Sequence, residues 1–181
     1  MDSYAVPYGI YDTILNQGAI FVGDSYDTPA FAVDGIDLWW RIHGQKYYPN
    51  ARELLILADS GGSNSNRSRI WKWGLEQKLC AKHNLTVTVC HYPPGSSKWN
   101  PIEHRLFSEI SKNWAGVPLE SYEKVINYAR TTTTASGLKV RARRIRKEYQ
   151  KGQQVSDENM NNLSIERHDL FPNWNYTLKL D

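Results

Sequence analysis

Leu54-Leu-Ile-Leu-Ala-Asp-Ser-Gly-Gly-Ser-Asn64 is the stretch on which the reading of the fold turns. Its apolar run has the length and composition of a buried strand, and it ends in an acid followed by a Gly-Gly turn. In open α/β sheets, a carboxylate at the C-terminal end of such a strand points into the crevice where ligands bind. A second stretch, Ser96-Ser-Lys-Trp-Asn-Pro-Ile-Glu-His104, opens a helix. At about 100° per residue, Glu103 falls within the stripe formed by Leu106, Phe107, Ile110 and Trp114. A carboxylate aimed at a core is costly unless it is paired, hydrogen-bonded or bound to a metal. Two inward-facing acids on successive strand–helix units, Asp59 and Glu103, therefore suggest a divalent-metal site.

Each acid also admits a plainer role. Asn100-Pro101-Ile102-Glu103 fits a variant capping box, with Asn100 as N-cap, Pro101 at N1 and Glu103 at N3. Asp59 could accept backbone N–H groups of the Gly61-Gly62 turn. A cap at Glu103 does not explain why the preceding strand also ends in an acid.

Working outward, Val6 to Asp12 and Ala19 to Gly23 read as an antiparallel hairpin, with Asn16 and Gly18 as turn residues. Thr28-Pro29 supplies an N-cap and an N1 proline for a first helix that should stop at Gly44. A second helix, roughly Ser65 to His83, carries Trp71, Leu75 and Leu79 on one face. Leu85 to Cys90 reads as a strand broken by Pro93-Pro94-Gly95. The Glu103 helix ends near Gly116, and Ser121 to Arg130 forms another. Strand–helix–strand connections of this length imply parallel pairing. The expected class is α/β: one mixed sheet with an antiparallel flank and helices on both faces.

After Thr134 the pattern loosens. Residues 131–154 hold seven Lys or Arg against one acid, within a chain of net charge +3. Such a block suits phosphate contacts, although a solvated surface segment has the same composition. Trp174-Asn-Tyr-Thr-Leu178 reads as a docking strand. The expected division is a partial catalytic domain over 1–135 and a basic C-terminal extension over 136–181.

At 181 residues the chain can bury a sizeable core. No apolar stretch approaches the roughly 20 residues of a membrane span. The segment from Met1 to Pro7 lacks the basic and apolar regions of a signal peptide. Cys80 and Cys90 form no CxxC pair; they read as reduced, buried thiols of a cytoplasmic protein, with zinc ligation a second reading.

Several motifs together resemble one family. These are Val6-Pro-Tyr-Gly-Ile-Tyr-Asp12, Ala58-Asp-Ser-Gly-Gly-Ser-Asn64, Val89-Cys-His-Tyr-Pro-Pro-Gly95, Ser97-Lys-Trp-Asn-Pro-Ile-Glu-His-Arg105, His168-Asp169 and Trp174-Asn-Tyr176. They look like the Rhodopirellula-type DDE transposases of bacterial insertion sequences. The Asn-Pro-Ile-Glu segment is also similar to the helix of mariner-like transposases that bears their last acid. The resemblance implies a ribonuclease H-like fold and three acids holding two Mg²⁺ or Mn²⁺ ions, with Asp59 as the second acid and Glu103 the third.

It further implies DNA as partner, both element ends and target, and a homo-oligomer for the full-length transposase. Lys98, Lys139, Arg141, Arg143, Arg144, Arg146 and Lys147 are the candidate DNA contacts. In this family the first acid precedes the Val-Pro-Tyr-Gly segment, with which this chain begins. The expectation is a C-terminal portion lacking its first strand and first acid, and inactive in strand cleavage and transfer by itself. Two other readings stay open: a non-catalytic DNA-binding relic, and a metal-dependent ribonuclease H-like nuclease that recruits Asp12 or Asp24.

Overall fold

The computed structural model describes residues 5–116 and 121–180. Strands β1 (Val6–Asp12) and β2 (Gln17–Gly23) come first. Helix α1 (Pro29–Trp39) continues through a π-helical turn, Trp40–Gly44, into α2 (Gln45–Tyr47). Next come β3 (Glu53–Ala58), α3 (Arg69–Leu75) with a π-helical extension Glu76–Ala81, and β4 (Thr86–His91). A π-helical segment, Glu103–Phe107, leads into α4 (Ser108–Trp114), and α5 (Tyr122–Thr131) follows. The chain closes with β5 (Lys139–Ile145), α6 (Asp157–Asn161), β6 (Ile165–Arg167) and β7 (Asn175–Leu178).

The protein is mixed α/β, with its strands divided between two sheets rather than gathered into one. One sheet has the order β1-β2-β5 and the other β3-β4-β7-β6. This architecture is consistent with a ribonuclease H-like fold. Contacts divide the chain into two compact units: Met1–Tyr26 with Ser97–Tyr149, and Asp27–Ser96 with Gln150–Asp181. They are called here the hairpin unit and the crossover unit.

In the hairpin unit, β1 and β2 pair antiparallel, from Val6 opposite Gly23 to Asp12 opposite Gln17. The turn is held by Asp12, whose Oδ1 accepts the N–H groups of Ile14 and Leu15, each at 3.0 Å. Strand β5 then pairs parallel to β2. The basic segment read as irregular thus contains a strand. Its charges mask the alternation that gives it away: Val140 and Ala142 are buried while Lys139, Arg141 and Arg143 between them are exposed. Ile20 and Val22 join Val140 and Ala142, Leu106 and Ile110, and Val125 and Ala129 of α5 in one core cluster.

In the crossover unit, Thr28 caps α1 by accepting the Phe31 N–H at 3.2 Å, with Pro29 in the first turn. Gly44 is not the stop. It has helical dihedrals, and the helix runs on to Tyr47. Its glycine identity has another cause, since a Cβ there would come within 2.3 Å of the Trp40 ring. Ser68, rather than Ser65, caps α3. Asp37 of α1 accepts from Lys82 Nζ at 3.0 Å and from His83 Nε2 at 2.8 Å. Burial pushes the Asp37 carboxyl up, but these hydrogen bonds overcome it and hold the group below the ordinary range.

Strands β3 and β4 pair parallel, as expected, and β7 docks antiparallel on β4. Helix α3 lies over the face that bears Tyr176 and Leu178. Trp71 Nε1 donates to the Tyr176 hydroxyl at 2.9 Å, and Cys80 Sγ meets the Leu178 carbonyl at 3.4 Å. Phe31, Val33, Leu75, Leu79, Val87 and Val89 are all fully buried here.

The reading of β3 as a strand buried on both faces fails. Leu55 and Leu57 are 60% and 45% exposed. Strand β3 stands at the edge of its sheet, and only Leu54, Ile56 and Ala58 share the covered face with Val87, Val89 and His91.

Candidate functional site

Asp59 follows the last residue of β3, where the chain leaves the sheet. Its carbonyl oxygen lies 3.0 Å from His91 Nδ1, and the Ala58 carbonyl accepts the Tyr92 N–H at 2.7 Å. Its carboxylate accepts a hydrogen bond from Asn64 Nδ2 at 2.9 Å. Asn64 is in reach because Gly62 (φ +55°) takes the left-handed region that glycine favours and turns the chain back. The Asp27 carboxylate also approaches this turn, 3.6 Å from where a Gly62 Cβ would stand.

Behind Asp59 runs a chain of buried hydrogen bonds. His91 Nε2 is 3.0 Å from the Tyr176 hydroxyl, which in turn accepts from Trp71 Nε1. With the indole as donor, the Tyr176 proton points to His91 Nε2, and Nδ1–H donates to the Asp59 carbonyl. This network calls for a neutral His91. Desolvation pushes the imidazole below its ordinary value against the hydrogen bond to Asp59, and burial pushes the Tyr176 phenol far up. His91 and Tyr176 stand in motifs quoted above, but no role was assigned to either. Only the pairing of β4 with β7 brings them together.

Glu103 belongs to the hairpin unit, on the π-helical segment that precedes α4. The expected inward orientation fails for both acids: Asp59 and Glu103 are exposed. For Glu103 the cause is local. Residues 103–107 wind with i→i+5 bonds, so a projection at the α-helical angle misplaces the side chain. The capping box is half formed. Asn100 Oδ1 accepts the Ile102 N–H at 3.4 Å, while the Glu103 carboxylate has no hydrogen-bond or ion-pair partner among the described residues.

The early acids have structural partners. Asp12 holds the hairpin turn, and Asp24 accepts from Arg144 Nε at 2.6 Å. Among the described residues no three His, Cys, Asp or Glu gather closely enough to share a metal ion.

The basic residues divide by role. Lys139, Arg141 and Arg143 lie along one exposed face of β5, and Arg146 and Lys147 follow, also exposed. Lys147 Nζ stands 5.0 Å from the Tyr149 ring centre, and Lys98 Nζ is 5.2 Å from that of Trp99. Arg144 turns the other way. Besides Asp24 it stacks 4.0 Å from the Tyr122 ring centre, and this carboxylate bond holds its guanidinium above the ordinary value.

Cys80 is buried and Cys90 partly so, and burial pushes the Cys80 thiol up to about 12. Both are free thiols, and burial disfavours the thiolate of each. No helix among the described residues is long and apolar enough to cross a membrane.

The sequence profile described as the Rhodopirellula transposase DDE domain matches residues 1–180. No curated protein and no solved structure matches the chain. With the profile spanning nearly its whole length, the chain belongs to the Rhodopirellula transposase DDE domain family.

Proposed function

We propose that this chain is the catalytic region of a DDE-type transposase acting in DNA strand cleavage and transfer during movement of an insertion sequence. Asp59 and Glu103 are its metal-holding carboxylates. The observation that carries this reading is that both acids face solvent with coordination capacity to spare. Among the described residues the Glu103 carboxylate has no partner, and that of Asp59 has one hydrogen bond, to Asn64. An acid kept for structure would be spent on its neighbours, as Asp12, Asp24 and Asp37 are. Hard anionic oxygens suit Mg²⁺ or Mn²⁺. Bound there, such ions would activate the attacking oxygen and stabilise the leaving one in an in-line displacement at phosphorus.

The chain's own contribution is placement. The His91–Tyr176–Trp71 chain fixes the backbone of Asp59 at the strand end, and a carboxylate must be held to a fraction of an ångström to be useful. The exposed cations of β5, with Lys98, Arg146 and Lys147, serve as the phosphate-contacting surface. The substrate is therefore DNA. The nuclease alternative that recruits Asp12 or Asp24 is disfavoured, because both are engaged in structural hydrogen bonds.

Calorimetric titration with Mn²⁺ is the test. Asp59→Asn and Glu103→Gln should each weaken binding by roughly 10-fold or more, as expected for loss of an ionised ligand. Binding equal to that of the parent in both variants would sink the assignment.

A further inference from the structure

The crossover unit contains a cleft of about 530 Å³ that the reading above does not use. Its lining includes Ser60, Asn66, Arg67, Lys72, Arg167 and Trp174. Lys72 is 8% exposed, and no carboxylate among the described residues pairs with it; its ammonium lies 5.6 Å from the Tyr176 ring centre. A buried ammonium without a counter-charge is costly, and Arg167, which lines the same cleft, raises that cost. Lys72 responds as expected, held below its ordinary value by burial and then by Arg167. None of the described residues lining the cleft is acidic. The walls are also tied together, since Asn66 Nδ2 donates to the Asn173 carbonyl at 3.1 Å and Arg167 Nη1 to the Pro172 carbonyl at 3.0 Å.

We infer that this cleft binds one nucleotide of an unpaired DNA strand, its phosphate on Lys72, Arg167 and Arg67 and its base against Trp174. Three cations lining one cavity with no acid among its described residues call for an anion. An aromatic ring beside them is the pairing that takes a base stripped of its stack. The volume falls in the range of small-molecule sites, which suits a single nucleotide rather than a duplex. Ser60 follows Asp59 directly in sequence, so a strand seated here runs beside the candidate catalytic acid. This gives the crossover unit its own DNA contact, separate from the basic strand of the hairpin unit.

Fluorescence anisotropy of the full chain with a labelled single-stranded oligonucleotide tests this, with an equivalent duplex and inorganic phosphate as further arms. Arg167→Gln and Lys72→Met should each weaken single-strand binding roughly 10-fold or more, the size of a lost charge-assisted hydrogen bond. Each should also lower the salt slope by about 0.7 per lost phosphate contact. Trp174→Ala should weaken it by roughly 5- to 100-fold and affect the duplex less.

Because Lys72 is buried, the exposed Arg167 and the half-buried Trp174 carry the test if Lys72→Met does not fold. Single-strand affinity unchanged in Arg167→Gln and Trp174→Ala would overturn the inference. So would displacement by inorganic phosphate with no effect of Trp174→Ala, which would leave a free-phosphate site. The Arg141→Ala/Arg143→Ala pair reports on the basic strand instead, so the two DNA contacts can fail separately.

Discussion

The two units of this protein hold their candidate acids in opposite ways. In the crossover unit, Asp59 sits at a strand end with its backbone tied to His91, Tyr176 and Trp71, and its carboxylate tied to Asn64. In the hairpin unit, Glu103 projects from a π-helical segment with no partner for its carboxylate among the described residues. One acid is positioned by a buried polar chain and the other only by its helix. The helix is itself fixed, because Leu106 and Ile110 are buried in the core against β2 and β5. A carboxylate can thus be placed by hydrogen bonds to its own strand end or by the packing of the face opposite to it. The two devices should respond differently to mutation.

Removing the base of the polar chain should have the largest effect. Trp71 is fully buried, so Trp71→Ala should cost about 3–5 kcal/mol in urea unfolding. Trp71→Phe keeps most of the volume and leaves the Tyr176 hydroxyl without its donor, for about 1–3 kcal/mol. Leu106→Ala, the counterpart beneath Glu103, should cost about 2–5 kcal/mol. Equal, negligible losses in all three would break the claim that both acids rest on packed cores.

A smaller effect distinguishes the units by pH. His91 is held below its ordinary value of 6.5, so the unfolded chain binds this proton more readily than the folded one. Above pH 6.5 both states leave the imidazole neutral and nothing changes. Below it the unfolded state gains protons first, and stability falls with falling pH until the folded-state value is reached. Denaturation midpoints between pH 7 and pH 5 should show this slope, and His91→Phe should flatten it. A slope that survives in His91→Phe would assign it to another group.

Within β5, Arg144→Ala should lower the thermal midpoint, because it frees Asp24 and uncovers the Tyr122 ring. Arg143→Ala, on an exposed position, should leave the midpoint in place and weaken DNA binding instead. The reverse pattern would exchange their roles. The smallest effect is expected at the acids themselves. Glu103→Gln should change stability by no more than about 0.5 kcal/mol, as a surface substitution does. Asp59→Asn should cost about 0.5–1.5 kcal/mol through its bond to Asn64. A large loss at Glu103 would mean that its carboxylate is structural after all.

Much of the fold was legible where local chemistry sets it. Asn16 takes its left-handed turn between two β-prone runs, and Thr28-Pro29 opens a helix where capping demands one. Parallel pairing of β3 with β4 follows from the helix between them. Other readings failed for reasons that local sequence does not carry, among them the burial of β3 on both faces, which its edge position rules out. Gly44 resembles a stop but is small because Trp40 packs on it. β5 is hidden by its own charges, since only one face of the strand meets the core. Glu103 turns outward because the helix is wound as a π-helix there.

The sequence by itself determined most of the helices and strands and the family, and it singled out Asp59 and Glu103 as candidates, because capping, turn geometry and motif spacing are short-range. Which side chains meet was decided by the tertiary structure. His91, Tyr176 and Trp71 lie up to 105 residues apart, and they touch only through the register of β4 with β7 and the packing of α3 upon it. The same holds for Lys72 and Arg167, whose charges share one cleft only after β6 pairs with β7. Hydrogen bonds and charges act over a few ångströms of space whatever their separation along the chain, and no periodicity in the sequence records that distance.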